Sequence, residues 1–320
     1  MLDFNIGVNN INQLEVLKKF DIKKIFCGYI DDFASSRWHE DFLVLNRRGK
    51  GSSLCGKEDF QKFAVEAKKQ GIDVYVTFNG LYSPEQYDWI VEAINFVSSF
   101  MSVKGIIVND IGLLLRLKQI NYNKHIVIST GGTTFNSSTV SFYKQFGTNN
   151  IILDRQLKIE EIISILENHK DVHFEIFLLF ANCTFVDGYC SLLHQLNNSN
   201  DYGPVNCGYI NYLRCFNKYK IIGTTENKRK YNIKFYNNDD YPLIGCNLCI
   251  IKELIKYSKQ ITYKLVTRSN YIHEFEAVVK QLHIIQNLDT NEFDIKELFE
   301  LIFKQKCDDN FGCYISPLIV

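Results

Sequence analysis

Eight times between Leu2 and about Gln286, the chain sets a short run of β-branched and aromatic residues ahead of a segment whose apolar positions recur three and four apart. The strand-like runs are "LDFNIGV", "KKIFCGYI", "IDVYVTFN", "VKGIIVND", "KHIVIST", "NNIILDRQL", "VHFEIFLLF" and "ITYKLVT". The helix-like segments carry their own stops and starts. "KEDFQKFAVEAKKQG" closes on Gly71, and "SPEQYDWIVEAINFVSSFM" opens on Ser83 and Pro84. Parallel strands need crossovers, so this rhythm predicts an α/β fold: a TIM-type (β/α)8 barrel spanning residues 1–320 as one domain. A doubly wound open sheet is the alternative, but no Gly-rich phosphate fingerprint follows the first strand. From Cys183 to about Asp240 the rhythm lapses into Asn, Tyr, Gly and Cys. This predicts a Cys-rich insertion after strand seven, residues 183–246, and residues 303–320 read as a C-terminal extension.

The insertion raises a metal question. The first run of residues lacks a basic stretch followed by a long apolar core, and no apolar run approaches the roughly 20 residues of a spanning helix. A cytoplasmic protein with no membrane span is expected, and there thiols stay reduced. Ten cysteines in that setting favour metal ligation over disulfides. Six residues separate Cys183 from Cys190, sixteen separate Cys190 from Cys207, and 38 separate Cys207 from Cys246. Cys215 and Cys249 are nearby candidates, and Cys307 and Cys313 in the tail have no assigned role. The paired spacing of zinc ribbons occurs only at Cys246 and Cys249. Scattered thiolates on irregular loops suit an iron–sulfur cluster, although spacing alone does not choose the metal.

In a barrel the chemistry sits where strands end. Asn79, Asp110, Ser129, Arg155, Glu175 and Lys264 fall at or near such ends. Arg155 after strand six and Glu175 in strand seven are expected to reach one pocket if both point inward. The competing reading of Glu175 is a structural ion pair with Arg155 or Lys264, and that of Asp110 is a helix N-cap. Asn136 is expected to cap a helix, with anion binding as the alternative. His39 and His194 are read as packing or surface residues, and Cys27 as buried, with a reactive thiol at the mouth from Cys27 or Cys55 as the alternative. With 36 basic and 36 acidic residues there is no global field to draw in nucleic acid. The basic runs "NRRGK" and "NKRKYNIK" read as solvated loops, or else as phosphate contacts. No HExxH or Gly-x-Ser-x-Gly motif signals a zinc protease or serine hydrolase.

The succession "VYVTFN", "KGIIVND", "HIVIST…FNSSTVSFYKQFG", "IILDRQLKIEEI", "FEIFLLFANCTFVDGYC" and "YGPVNCG" resembles the U-32 collagenase-like peptidase family from about Ile6 to Gln286. The Cys183–Cys190–Cys207 segment is its most specific part. The resemblance implies a TIM-type barrel and a 4Fe–4S cluster on Cys183, Cys190, Cys207 and Cys246, with Cys249 and then Cys215 as alternatives for the fourth ligand. It implies oxygen-independent hydroxylation of a ubiquinone-type aromatic ring or an RNA base. Prephenate would serve as oxygen donor, its carboxylates held by Arg155, Lys264 and Arg268. In this scheme Glu175 or Asp110 handles protons, the electron donor is unassigned, and a related family member is a possible heterodimer partner. Two rival readings stand beside it: a peptidase, the family's historical label, and a non-catalytic cluster-bearing subunit. The chain departs from the family pattern at Gln156, at Leu179–Phe180 and at Val266.

Overall fold

The structure is a computed structural model and describes residues 2–31, 46–47, 52–179, 186–189, 222–224, 230–232, 246–267, 272–287, 294–303 and 306–307. Eight parallel strands form a closed barrel: β1 (Phe4–Val8), β2 (Lys24–Ile30), β4 (Asp73–Phe78), β5 (Val103–Val108), β6 (His125–Ile128), β7 (Asn150–Ile152), β8 (His173–Leu179) and β11 (Ile261–Leu265). β1 closes the ring by pairing with β2 (Ile6 opposite Ile25) and with β11 (Phe4 opposite Tyr263). All eight are the runs anticipated from the sequence.

One strand was not anticipated. β3 (Ser53–Cys55) lies in what reads as a loop and pairs with the last turn of β2, Gly28 to Ile30. The reason is length: β2 pairs with β1 as far as Cys27 and with β4 as far as Gly28, so its end would otherwise leave ladder groups unsatisfied. A separate antiparallel pair, β9 (Ile222–Thr224) with β10 (Lys230–Asn232), belongs to the insertion.

Helices follow the strands: α1 (Asn12–Lys19), α2 (Lys57–Lys69), α3 (Tyr87–Ser98), α4 (Ile111–Gln119), α5 (Ser137–Lys144), α6 (Ile159–Asn168), α7 (Ile250–Leu254), α8 (Ile272–Asn287) and α9 (Ile295–Phe303). α2 shows why they dock. Phe60, Phe63, Ala64 and Ala67 are buried on one stripe, and its charged residues face out. Gly71, at φ +66°, then turns the chain out of the helix.

The period of two along each strand splits the apolar core. Outward residues such as Ile25, Val74, Ile106, Ile128, Ile151 and Phe174 join the helices in one large cluster. Inward residues Phe26, Tyr75, Ile107, Val127, Ile152 and Phe177, with Val266 against them, form a second cluster that fills the barrel. This apolar plug separates a polar N-terminal end from the C-terminal mouth.

Candidate functional site at the barrel mouth

Above the plug the inward files change character. Continuing by twos, Tyr75 leads to Asn79, Ile107 to Asn109, Val127 to Ser129 and Ile152 to Asp154. These side chains knit the rim. Asn79 Nδ2 donates to Ser129 Oγ (3.1 Å), and the Asn109 amide donates to the carbonyls of Asn79 (2.9 Å) and Gly80 (3.1 Å).

Beside them three charged residues and a threonine meet at the mouth. Arg155 donates from Nη2 to Asp187 Oδ2 (2.9 Å) and from Nη1 to Oδ1 (3.3 Å), while its guanidinium lies 4.7 Å from the Phe177 ring centroid. Thr130 Oγ1 donates to Asp187 Oδ2 at 2.5 Å, and Arg47 Nη1 is 3.4 Å from Oδ1. Asp187 stands between Cys183 and Cys190 in sequence, and this cluster fastens residues 186–189 to the barrel. Gly188 makes the fit possible: it lies so close to Gly131 and Thr133 that a Cβ there would strike the Gly131 carbonyl oxygen.

Asp154 is the outlier of the rim. It is 3 % exposed, and its Oδ2 has no hydrogen-bond partner among the described residues. Burial, with the Asp187 carboxylate nearby, pushes the Asp154 carboxyl up to about 7 even though Arg155 and Arg47 pull it down.

Glu175 and Arg155 do not share a pocket. Glu175 pairs in register with Ile152, and Arg155 lies three residues further along the neighbouring chain, roughly 10 Å at strand rise. Glu175 instead sits at the N-terminal side of the plug and accepts from Lys264 Nζ (2.7 Å) and Asn5 Nδ2 (2.8 Å), with Lys24 Nζ at 3.8 Å. Burial alone would raise its carboxyl, but Lys264 and Lys24 together with the two hydrogen bonds hold it down at about 2. Lys264 is buried with it, its ammonium 3.6 Å from the Phe26 ring centroid. This is the structural ion pair, with Lys264 and not Arg155 as partner. Neither Glu175 nor Lys264 faces the mouth.

Asp110 points outward, one residue past inward Asn109. Its Oδ1 accepts from Leu113 N (2.7 Å) and Tyr87 Oη (2.9 Å), and its Oδ2 from Tyr82 N (3.3 Å). It caps α4, and both oxygens are engaged. Asn136 caps α5 through Thr139 N, and Cys27 is fully buried in the outer core. Arg47, from the run read as a solvated loop or phosphate contact, is instead an ion-pair partner of Asp187 with a side chain only 18 % exposed.

Of the expected ligands, Cys246 is described and Cys183, Cys190 and Cys207 lie outside the described residues, as do Cys215, Cys313, Arg268, His39 and His194. Cys246 is buried and forms an antiparallel bridge with Leu179, the last residue of β8. Asn247 locks it there, donating its backbone N–H to Leu178 O (2.7 Å) and its side-chain amide to Phe177 O (3.0 Å). A thiol separated from Cys207 by 38 residues is thus returned beside the exit toward Cys183. Thiolate donors are the chemistry an iron–sulfur cluster needs, and Cys246 fits that set; Cys249, half-buried at the start of α7, is close by in sequence. Among the described residues alone, no three His, Cys, Asp or Glu side chains converge as a metal site.

Comparison with known proteins gives the site its context. The profile of the family described as Peptidase family U32 matches residues 9–313. The chain is 34 % identical over 97 residues to tRNA hydroxylation protein P of Haemophilus influenzae, covering 30 % of this chain and 21 % of that protein. It is 27 % identical over 147 residues to tRNA hydroxylation protein P2 of Bacillus subtilis, covering 45 % of this chain and 47 % of that one. The chain thus matches less than half the length of these curated relatives. A solved structure of the U32 peptidase Mk0906 aligns with TM-score 0.43 and 16 % identity over 56 % of this chain and 69 % of that one. With nearly the whole sequence matched by the family profile, the chain belongs to peptidase family U32.

Proposed function

We propose that this protein acts in the oxygen-independent hydroxylation of an RNA base, using a 4Fe–4S cluster bound by Cys183, Cys190, Cys207 and Cys246 beside the barrel mouth. The observation that carries the reading is the near-complete family match, with relatives named for tRNA hydroxylation. The placement of Cys246 against the end of β8 supports the ligand set. A bound cluster would supply one-electron transfer. Replacing C–H by C–OH is a two-electron oxidation of the base, balanced by two-electron reduction of the oxygen donor. Prephenate remains the proposed donor.

The chain's own residues divide the remaining work. The Asn79–Ser129–Asn109 rim, tied together by its own hydrogen bonds, gives the mouth a fixed polar edge against which a planar ligand could lie. Phe177 and Val266 form the dry floor beneath it. Arg155 and Arg47 bring positive charge to the mouth, already shared with Asp187. Protons are not assigned to Glu175 or Asp110, whose oxygens are committed to structural partners.

A second reading is a cluster-bearing subunit that works with a related chain. The similarity to both tRNA hydroxylation proteins of Bacillus subtilis, P1 and P2, favours it. Mass spectrometry of tRNA nucleosides tests the main proposal. A hydroxylated nucleoside should vanish when the gene is deleted, return with the wild-type gene, and stay absent with Cys246→Ser. An unchanged nucleoside profile in the deletion strain refutes it.

A further inference from the structure

Asp154 is a buried carboxyl group that the fold aims into the mouth and leaves half unpaired. It continues the inward file of Ile152, while Leu153 between them packs outward. One oxygen takes the Arg155 backbone N–H; the other, Oδ2, meets no partner among the described residues. An ionised carboxylate with a bare, dry oxygen is costly, so the site favours either a bound partner or a proton on that oxygen. The charged groups facing it are Asp187 from the insertion, Arg155 beside it and Arg47 from the segment after β2. The two arginines are turned toward Asp187, whose oxygens receive Arg155, Thr130 and Arg47, so Asp187 takes the pairing that would otherwise ionise Asp154.

We propose that Asp154 works in its acid form, donating a hydrogen bond from Oδ2 to a carbonyl oxygen or ring nitrogen of a nucleobase held in the barrel mouth. This rests on the RNA reading above and assigns the group that selects the base edge. A neutral acid offers a donor where the Asn79 and Ser129 side chains already bond one another. A ligand acceptor would complete the Asp154 Oδ2 atom, which has no partner among the described residues. Burial and the Asp187 charge are consistent with a proton retained at neutral pH.

The test uses the full chain and, as probe, total tRNA from a strain lacking the gene. Binding is measured at pH 6 and pH 8 for wild type, Asp154→Asn and Asp154→Ala. With the carboxyl titrating at about 7, the acid fraction and hence the affinity of wild type should fall about tenfold between those pH values. Asp154→Asn keeps a neutral donor, so its binding should persist and lose that pH dependence. Asp154→Ala should bind weakly at both. Infrared difference spectra of the unliganded protein should show a protonated carboxyl at pH 6 that is missing in Asp154→Asn. A flat wild-type profile, or Asp154→Asn as weak as Asp154→Ala, overturns the proposal while leaving the RNA reading intact. Failure of wild type to bind tRNA at either pH overturns both. If Asp154→Ala does not fold, the comparison of wild type with Asp154→Asn still decides.

Discussion

Lys264→Met should damage the fold far more than the ligand site. The lysine and Glu175 are both almost fully buried, their charges 2.7 Å apart, with Lys24 a further 1.1 Å out at 3.8 Å. At an effective dielectric constant near 20 the direct attraction is about 6 kcal/mol, and that to Lys24 about 4 kcal/mol, both before desolvation is subtracted. Removing Lys264 leaves Glu175 with Asn5 and a longer pairing, so the net loss should be about 3–5 kcal/mol, as for other broken buried pairs. In a chain of this size that is roughly 4–8 °C in Tm. The pH dependence follows from the sign of the Glu175 shift. In wild type the folded carboxyl is depressed to about 2, so its contribution is complete above its unfolded value near 4.3 and is lost only as pH falls toward 2. In Lys264→Met the carboxyl rises, the folded state gains a proton more readily, and the deficit should shrink as pH falls from 8 to 5. Urea unfolding followed by circular dichroism at both pH values measures this. The double variant Lys264→Met/Glu175→Met should recover much of the loss, because no charge is then stranded. A deficit under about 1 kcal/mol, or one that grows in acid, would refute the buried-pair reasoning.

Two further substitutions separate structural from ligand-facing carboxylates. Asp110→Ala should cost about 1–2 kcal/mol through the lost α4 cap, with tRNA affinity unchanged in a binding assay; a loss of affinity at constant stability would return Asp110 to the site. Asp187→Asn removes the negative charge that helps keep Asp154 protonated, so the infrared titration of Asp154 should move to lower pH. A midpoint that stays in place or rises would show that Asp187 does not set it.

Much of the barrel was legible in the sequence because each strand carries its β-rich run and each helix its stripe. β3 was not: three residues among Ser, Gly and Cys make no pattern, and it exists because β2 outruns its neighbours. The sequence placed Arg155 and Glu175 on adjacent strands but not at the same height, since level depends on a register that only the ladder reveals. Period two also separates Asn109 from Asp110 and would have marked Asp154, two positions past Ile152, as inward. The Arg47–Asp187 pair joins residues 140 apart through tertiary packing and left no local signal. The position of Cys246 beside Leu179 was likewise invisible to spacing, and the expectation that it belongs with Cys183 came from family resemblance.

A cluster at the barrel mouth is tested most directly by the iron and sulfide content of protein purified without oxygen. Wild type should be brown, with about four irons and four sulfides per chain, and Cys246→Ser should lose or alter the chromophore while Cys215→Ser keeps it. A colourless wild-type protein carrying a single zinc would rule out the cluster.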